Sequence, residues 1–444
     1  MNRTLRILGS ILLLACLALG LTTTGSAAKE KVTINVYNWG QYISDGSDGY
    51  IDVNAEFTKE TGIEVNYMTY ESNETMYTKL KTGGSSYDVI IPSDYMIARL
   101  ISENMLLPLN YDNIPNAQYV MPAYRGMAHD PQDTYSIPYT WGCTGIIYNT
   151  KYVDEADVGS WDLVWNEKYS GKILMFDNPR DAFGVAEFRL GYGVNTTDEQ
   201  ELRACADLLK QQKPLVQAYF MDQMYNALEH EEAWIGVYYA GDCIQMQWEN
   251  EDLDFCFPKE GFNLFVDSMC IPASCQNKEA AEAYINFLCR PDISGQNLDW
   301  LGYSTPIEGA TDYMDPEMVA NPIAYPDEAT LARGQAFLNL PAKTSQLMDS
   351  LWLEVKTGGS SNNILIYGLI GLAVVVILLV IMLVSRKKRL KKRRSLYQDK
   401  YRQDAPGPEG PGSVSFSCIL GEKPIYFGCK RSGGGCALGN AEPE

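Results

Sequence analysis

The sequence predicts an α/β fold. Three observations lead there. Short apolar strands alternate with amphipathic helices, several helices close on glycine, and several strands run directly into polar turns carrying aromatic residues. Thr33 to Val36 reads as the first strand. Tyr50 to Thr61 follows as a helix through Ile51, Val53 and Phe57, closed by Gly62. Ile63 to Met68 is a strand, Asn73 to Thr82 a helix stopped by Gly83-Gly84, Asp88 to Ile91 a strand and Tyr95 to Glu103 a helix. Further on, Pro138 to Trp141 leads into a strand at Gly145 to Asn149. Trp161 to Tyr169 is helical, Lys172 to Phe176 a strand, and Asp181 to Leu190 and Thr197 to Gln211 are helices. Ala233 to Tyr239 is a strand, so a second α/β domain occupies roughly 138–262. Phe265 to Ile271 reads as a strand returning to the first domain, with Lys278 to Leu288 as its helix.

Sheets of this kind bind ligands beyond the carboxyl ends of their strands. Val36-Tyr-Asn-Trp-Gly-Gln-Tyr-Ile43 and Tyr87-Asp-Val-Ile-Ile-Pro-Ser-Asp-Tyr95 carry Trp39, Tyr42, Ser93 and Tyr95 to such ends.

The chain ends give separate expectations. Residues 1–28 read as an export signal: Arg3 and Arg6, an apolar run from Ile7 to Leu21, then small residues at Ser26-Ala27-Ala28. A competing reading makes Leu13-Leu14-Ala15-Cys16 a lipobox with Cys16 as the lipid site. Ile364 to Val384 is a 21-residue stretch without a charge. As a helix it would span roughly 30 Å. Arg386 to Arg394 adds eight cations in nine residues, the mark of a cytoplasmic flank. The expectation is a single-pass type I protein on the extracytoplasmic face, on the periplasmic or cell-surface side. It has a spacer at 358–363, a transmembrane helix at 364–384 as its contact with the membrane, and a basic, then disordered tail at 385–444.

Residues 29–363 hold 21 of the 36 Lys and Arg but 50 of the 56 Asp and Glu, leaving that segment near −29. Such a field argues against nucleic acid and suits a cationic ligand. Seven cysteines fall there, scattered through apolar segments, and read as small buried hydrophobes, with Cys270–Cys275 as one conceivable pair. The two histidines, His129 and His230, sit in no metal-like cluster, and no nucleophile elbow, zincin motif or phosphate loop occurs. Neither a cofactor nor catalysis is expected. Asp181 and Asp267 could in principle oppose each other across a sugar as a glycosidase pair does, but nothing else marks catalysis.

The two strand-end motifs are joined by Pro138-Tyr-Thr-Trp-Gly-Cys-Thr-Gly-Ile146, Asp177-Asn-Pro-Arg-Asp-Ala-Phe183, Val266-Asp-Ser-Met-Cys-Ile-Pro272, Ile285-Asn-Phe-Leu-Cys-Arg-Pro-Asp292 and Gly302-Tyr-Ser-Thr-Pro306. Taken in this order over about 30–355, these phrases resemble the bacterial extracellular spermidine/putrescine-binding proteins of ABC importers.

The resemblance implies a two-lobed periplasmic-binding-protein-like fold with a hinge and an interlobe cleft. The lobes would be 29–137 with 265–310, and 138–264 with 311–357. It implies a polyamine ligand, with aromatic faces on its methylenes and carboxylates on its ammonium ends, and an ABC permease as partner. Carried over by position, the ligand set would include Trp39, Tyr42, Ser93 and Tyr95 from the first lobe. Asp181, Tyr239, Phe265, Asp267 and Tyr303 complete it, with Asp267 the most dependable amine anchor.

Several positions depart from the family pattern. Gly40 stands where a hydroxyl residue is frequent, Asn178 where a carboxylate is usual with Asp177 beside it, and Tyr239 and Phe265 where tryptophans are typical. Phe337 falls where a polar residue is expected. These departures leave a diamine open beside a triamine. Two residues keep alternative readings: Trp141 either lines the cleft or braces a crossover, and Asp94 either caps a helix or faces an amine. The competing functions are a receptor for another small cationic or organic solute and a tethered sensor signalling through its tail.

Overall fold

The computed structural model describes residues 31–84 and 86–358, together with 382, 416–418 and 425–427. The chain divides into two units, 1–360 and 361–444. In the first, β1 (Thr33–Trp39) leads to α1 (Val53–Thr61), β2 (Glu64–Tyr70), α2 (Asn73–Thr82), β3 (Val89–Ile90) and α3 (Asp94–Ser102). After a loop of short 3-10 turns come β4 (Ser136–Asn149), β5 (Ile173–Phe176), α4 (Pro179–Leu190), α5 (Glu199–Gln212), β6 (Val216–Phe220), α6 (Gln223–Glu229), β7 (Ile235–Tyr239) and α7 (Ala240–Glu249). β8 (Leu253–Cys256), β9 (Phe262–Cys270), α8 (Lys278–Leu288), α9 (Pro291–Leu301), β10 (Gly334–Gln335) and α10 (Ala342–Thr357) follow, with two single-turn helices, Pro316–Val319 and Glu328–Leu331, between α9 and β10.

The strands form one mixed sheet in the order β2-β1-β3-β9-β4-β7-β5-β6, with β10 beside β9 and β8 beside β4. β1 is parallel to β2 and β3, and β5 is parallel to β6 and β7. Between these parallel sets run β4 and β9, antiparallel to each other. β4 passes from one set to the other: Ser136 to Cys143 pair with β9, while Thr144 to Asn149 pair with β7 and β8. Thirteen of its fourteen residues are buried, Ser136, Thr140, Thr144 and Asn149 among them, so both of its faces are covered. Its register shifts between Pro138 and Thr140, where proline has no N–H for the ladder. This is an α/β fold with one mixed sheet joining two parallel strand sets.

Local chemistry sets the helix ends. Asp52 accepts the Ala55 N–H at 2.8 Å and Gly62, at φ 74°, closes α1. Ser72 and Thr75 form a reciprocal capping box at the start of α2. Asn178 caps α4 by accepting the Asp181 N–H at 2.8 Å, and Pro179 follows it at the first helical position. Trp161, fully buried, donates its indole N–H to Gly261 O at 2.8 Å and ties 3-10 residues 161–165 to the start of β9. The expected helix over Trp161 to Tyr169 is in fact two 3-10 segments, Trp161–Trp165 and Glu167–Tyr169, separated by Asn166, whose side chain caps the second. β6 was not expected. Its residues Val-Gln-Ala-Tyr-Phe are half-buried and show no clean alternation. The seven cysteines within 31–358 are free and six are buried, as small hydrophobes are.

The membrane expectation is corrected. Among the described residues no helix is long and apolar enough to cross a membrane. The last long helix is α10, which buries Thr344, Met348, Leu351, Trp352 and Val355 along one stripe while carrying Lys343, Asp349, Glu354 and Lys356. That is a helix docked on a folded body, and it stops at Gly358 in the left-handed conformation. The transmembrane helix, the membrane contact through it and the single-pass type I placement are therefore not retained. Apart from residue 382, the stretch 364–384 that suggested them lies outside the described residues, as do the export signal at 1–28, Cys16 and spacer residues 359–363. In the second unit, β11 (Phe416–Cys418) pairs antiparallel with β12 (Ile425–Phe427), a hairpin that tail composition did not announce.

Candidate functional site

The carboxyl ends of both parallel strand sets open onto one cleft. β1 delivers Trp39 and Tyr42, and β3 delivers Ser93 and Tyr95. β5 leads through the Asn178 cap to Asp181, β6 leads to Asp222, and β7 ends at Tyr239 with Asp242 in the next turn. β9 crosses the floor, presenting Phe265 and Asp267 on one face because strand residues alternate.

Asp267 is the centre of the polar wall. It is 3% exposed. Tyr42 Oη donates to its Oδ2 at 2.8 Å, and its other oxygen, Oδ1, is buried without a donor. Burial pushes its carboxyl up to about 7, against the opposing pull of the Tyr42 hydroxyl and of Ser93 beside it. Asp242 differs in having a donor on each oxygen. Tyr225 and Tyr303 donate to its two oxygens at 2.6 and 3.0 Å, and burial raises it to about 7. Asp181 accepts from Asn178 Nδ2 at 2.8 Å and from Tyr239 Oη at 3.2 Å, and burial raises it too. Glu74 accepts from Tyr95 Oη at 2.9 Å and keeps Oε2 buried without a donor.

The aromatic walls are held rather than loose. Trp39 donates its indole N–H to Ile91 O at 2.9 Å and lies 4.7 Å from the Tyr70 ring. Tyr239 meets Phe265 edge to face at 5.5 Å. Tyr303 rests against the backbone of Gly241, where an added Cβ would sit 2.2 Å from its ring.

All nine residues of the main expected ligand set line the cleft, and Phe337 lines it as well. Three expected residues do not. Asn178 spends its side chain capping α4 and holding Asp181. Asp94 is buried in the first turn of α3, behind the Ser93 cap. It accepts the Tyr95 N–H at 2.7 Å and is pushed up to about 8 by burial. Trp141 stacks on Tyr124 at 6.1 Å and meets Tyr325 edge-on, bracing β4 from outside the cleft.

Sequence reasoning missed Asp242, Asp222, Glu71 and Asn263, all in the lining. Asp242 was within reach, since it lies three residues past the strand end at Tyr239. Asp222 was hidden because β6 itself was not recognised. The absent side chain at Gly40 makes room for it: a Cβ there would stand 2.6 Å from Asp222 Oδ2. Among the described residues no group of His, Cys, Asp and Glu is placed to hold a metal.

The model of the bacterial extracellular solute-binding proteins matches residues 53–326, more than half of the chain. The chain belongs to this family. A spermidine/putrescine-binding periplasmic protein of Escherichia coli is 36% identical over 347 residues, covering 78% of this chain and 98% of its own. Two solved structures agree with this solute-binding protein in fold. One, from Listeria monocytogenes and described as a spermidine/putrescine ABC transporter, superposes with a TM-score of 0.69 at 34% identity, covering 73% of this chain and 98% of its own. The other is a spermidine/putrescine ABC transporter substrate-binding protein from Streptococcus pneumoniae. It gives 0.63 at 36% identity, covering 74% and 100%. The solute-binding protein is accordingly a receptor and not an enzyme.

Proposed function

We propose that the protein is an extracytoplasmic receptor that binds a polyamine, spermidine or putrescine, and delivers it to an ABC importer. One observation carries this reading. Among the described residues, the cleft is lined by five carboxylates (Glu71, Asp181, Asp222, Asp242 and Asp267) and a ring of aromatic side chains, and by no Lys, Arg or His. A polyamine is a row of cations separated by methylenes. Each buried ammonium requires an acceptor, and the methylenes require apolar walls. Asp267 Oδ1 is an acceptor waiting for a donor. Trp39, Tyr95, Tyr239 and Phe265 offer both walls and cation–π attraction, worth about 0.5–2 kcal/mol per contact. The names of the relatives point the same way.

In this reading the parallel strand sets belong to two lobes, 29–137 with 265–310 and 138–264 with 311–357, and the long strands β4 and β9 carry the hinge. Closure brings Tyr42 and Asp267 against Asp181, Tyr239 and Asp242, excluding water and strengthening each ion pair. Equilibrium dialysis against spermidine and putrescine tests the reading. The protein should retain at least one amine, return it chemically unchanged, and retain less as the Asp267→Asn variant. Retention of neither amine by folded protein overturns it.

A further inference from the structure

Asn263 lies on β9 four residues before Asp267, with Phe265 between them, so all three share the face turned to the cleft. It is 5% exposed, and its Oδ1 is buried without a donor, the same condition as Asp267 Oδ1. Its backbone is fixed on both sides. The Asn263 N–H donates to Thr144 Oγ1 at 3.1 Å, and Asn263 pairs with Gln335 of β10. A buried amide oxygen left unpaired costs free energy unless a ligand supplies the donor.

We infer that Asn263 is a further acceptor of the site beside its carboxylates, taking the far ammonium of a ligand whose near ammonium is held by Asp267. This rests on the polyamine reading and deepens it by selecting ligand length. Four strand residues separate the two Cα atoms by roughly 13 Å. An extended four-carbon diamine spans roughly 6 Å between its nitrogens, and a spermidine-length chain roughly 11 Å. With a hydrogen bond at each end, only the longer chain reaches both groups, its methylenes crossing Phe265. Asn263 thus favours a triamine over a short diamine.

The test is calorimetric titration of the full chain with spermidine, with putrescine, and with an eight-carbon diamine of spermidine's length but lacking its central nitrogen. Asn263→Ala should weaken spermidine and the long diamine by about tenfold or more and affect putrescine far less. Asn263→Asp, which keeps the shape and adds charge, should strengthen the two long ligands relative to putrescine. Thermal melts establish that both variants are folded, and either variant alone decides the matter. Equal losses for all three ligands, or no loss for the long ones, overturn the role of Asn263 while the polyamine reading stands. Binding of putrescine but not spermidine by the unaltered protein does the same. Binding of no amine at all overturns both.

Discussion

Tyr42 and Asp267 meet across the floor of the cleft, Tyr42 Oη donating to Asp267 Oδ2 at 2.8 Å. The bond holds a carboxylate on the middle of β9 with one oxygen satisfied and the other free to accept. Tyr42 is itself fixed by neighbouring rings, 5.7 Å from Tyr139 and 5.3 Å from Tyr303. The carboxylate is therefore held in place by the protein's own packing, which in the polyamine reading lowers the ordering cost of binding.

Replacing Asp267 by asparagine keeps the shape and removes the charge. Polyamine affinity should fall by about ten- to a hundredfold, the worth of about 1.5–3 kcal/mol expected for a hydrogen bond to a charged group. Titration calorimetry reads the change, and unaltered affinity would remove Asp267 from the site.

The pH dependence has a definite sign. Burial raises Asp267 and Asp242 to about 7 in the folded protein, against about 3.9 for a free aspartate. Between those values the folded chain holds protons that the unfolded chain has released. The stability contributed by these protons is fully present below about pH 4 and is lost as pH rises through about 7. Urea unfolding should show the unliganded protein losing stability relative to Asp242→Asn between pH 5 and pH 8. A bound ammonium favours the ionised carboxylates, so polyamine affinity should rise over the same interval, with protons released on binding near pH 6.

Gly241→Ala should act on the cleft without altering a charge. The new Cβ would meet the Tyr303 ring at 2.2 Å, so the ring must move and its bond to Asp242 must break. Overpacking of this kind costs about 1–3 kcal/mol of stability. Denaturant unfolding should show that loss together with weaker polyamine binding, whereas Gly193→Ala, in open space, should show neither.

Phe337 has a structural side to its role. It is buried over Gly184, 4.0 Å from the Arg180 guanidinium and edge-on to Tyr95 at 6.2 Å. Phe337→Ala should cost about 3–5 kcal/mol in urea unfolding. A cost below about 1 kcal/mol would show that the ring is not packed as described.

The strand ends were readable in the sequence because an apolar run broken by Trp39, or by Ser93 and Tyr95, is unusual where a helix is about to begin. The helix of Asn73 to Thr82 was readable to the residue, since Ser72 and Gly83 mark its limits. What resisted reading depended on distant contacts. β6 has no periodic signature and is a strand only because β5 pairs with it. Asn178 looks like a ligand by position and serves as a cap by geometry. Trp141 could not be assigned until Tyr124 and Tyr325 were seen against it. Asp242 belongs to the cleft because Tyr225 and Tyr303 converge on it from outside its own helix. At the far end, an apolar run suggested a membrane span, while the described helix before it, α10, is an amphipathic one ending at Gly358.

The central claim is that the cleft selects positive charge carried on an apolar chain. Calorimetric titration of the protein with spermidine, putrescine and an uncharged diol of similar length tests it most directly. The account predicts micromolar or tighter binding of at least one polyamine and no heat from the diol. A folded protein that binds neither amine, or binds the diol as well as the amines, would contradict it.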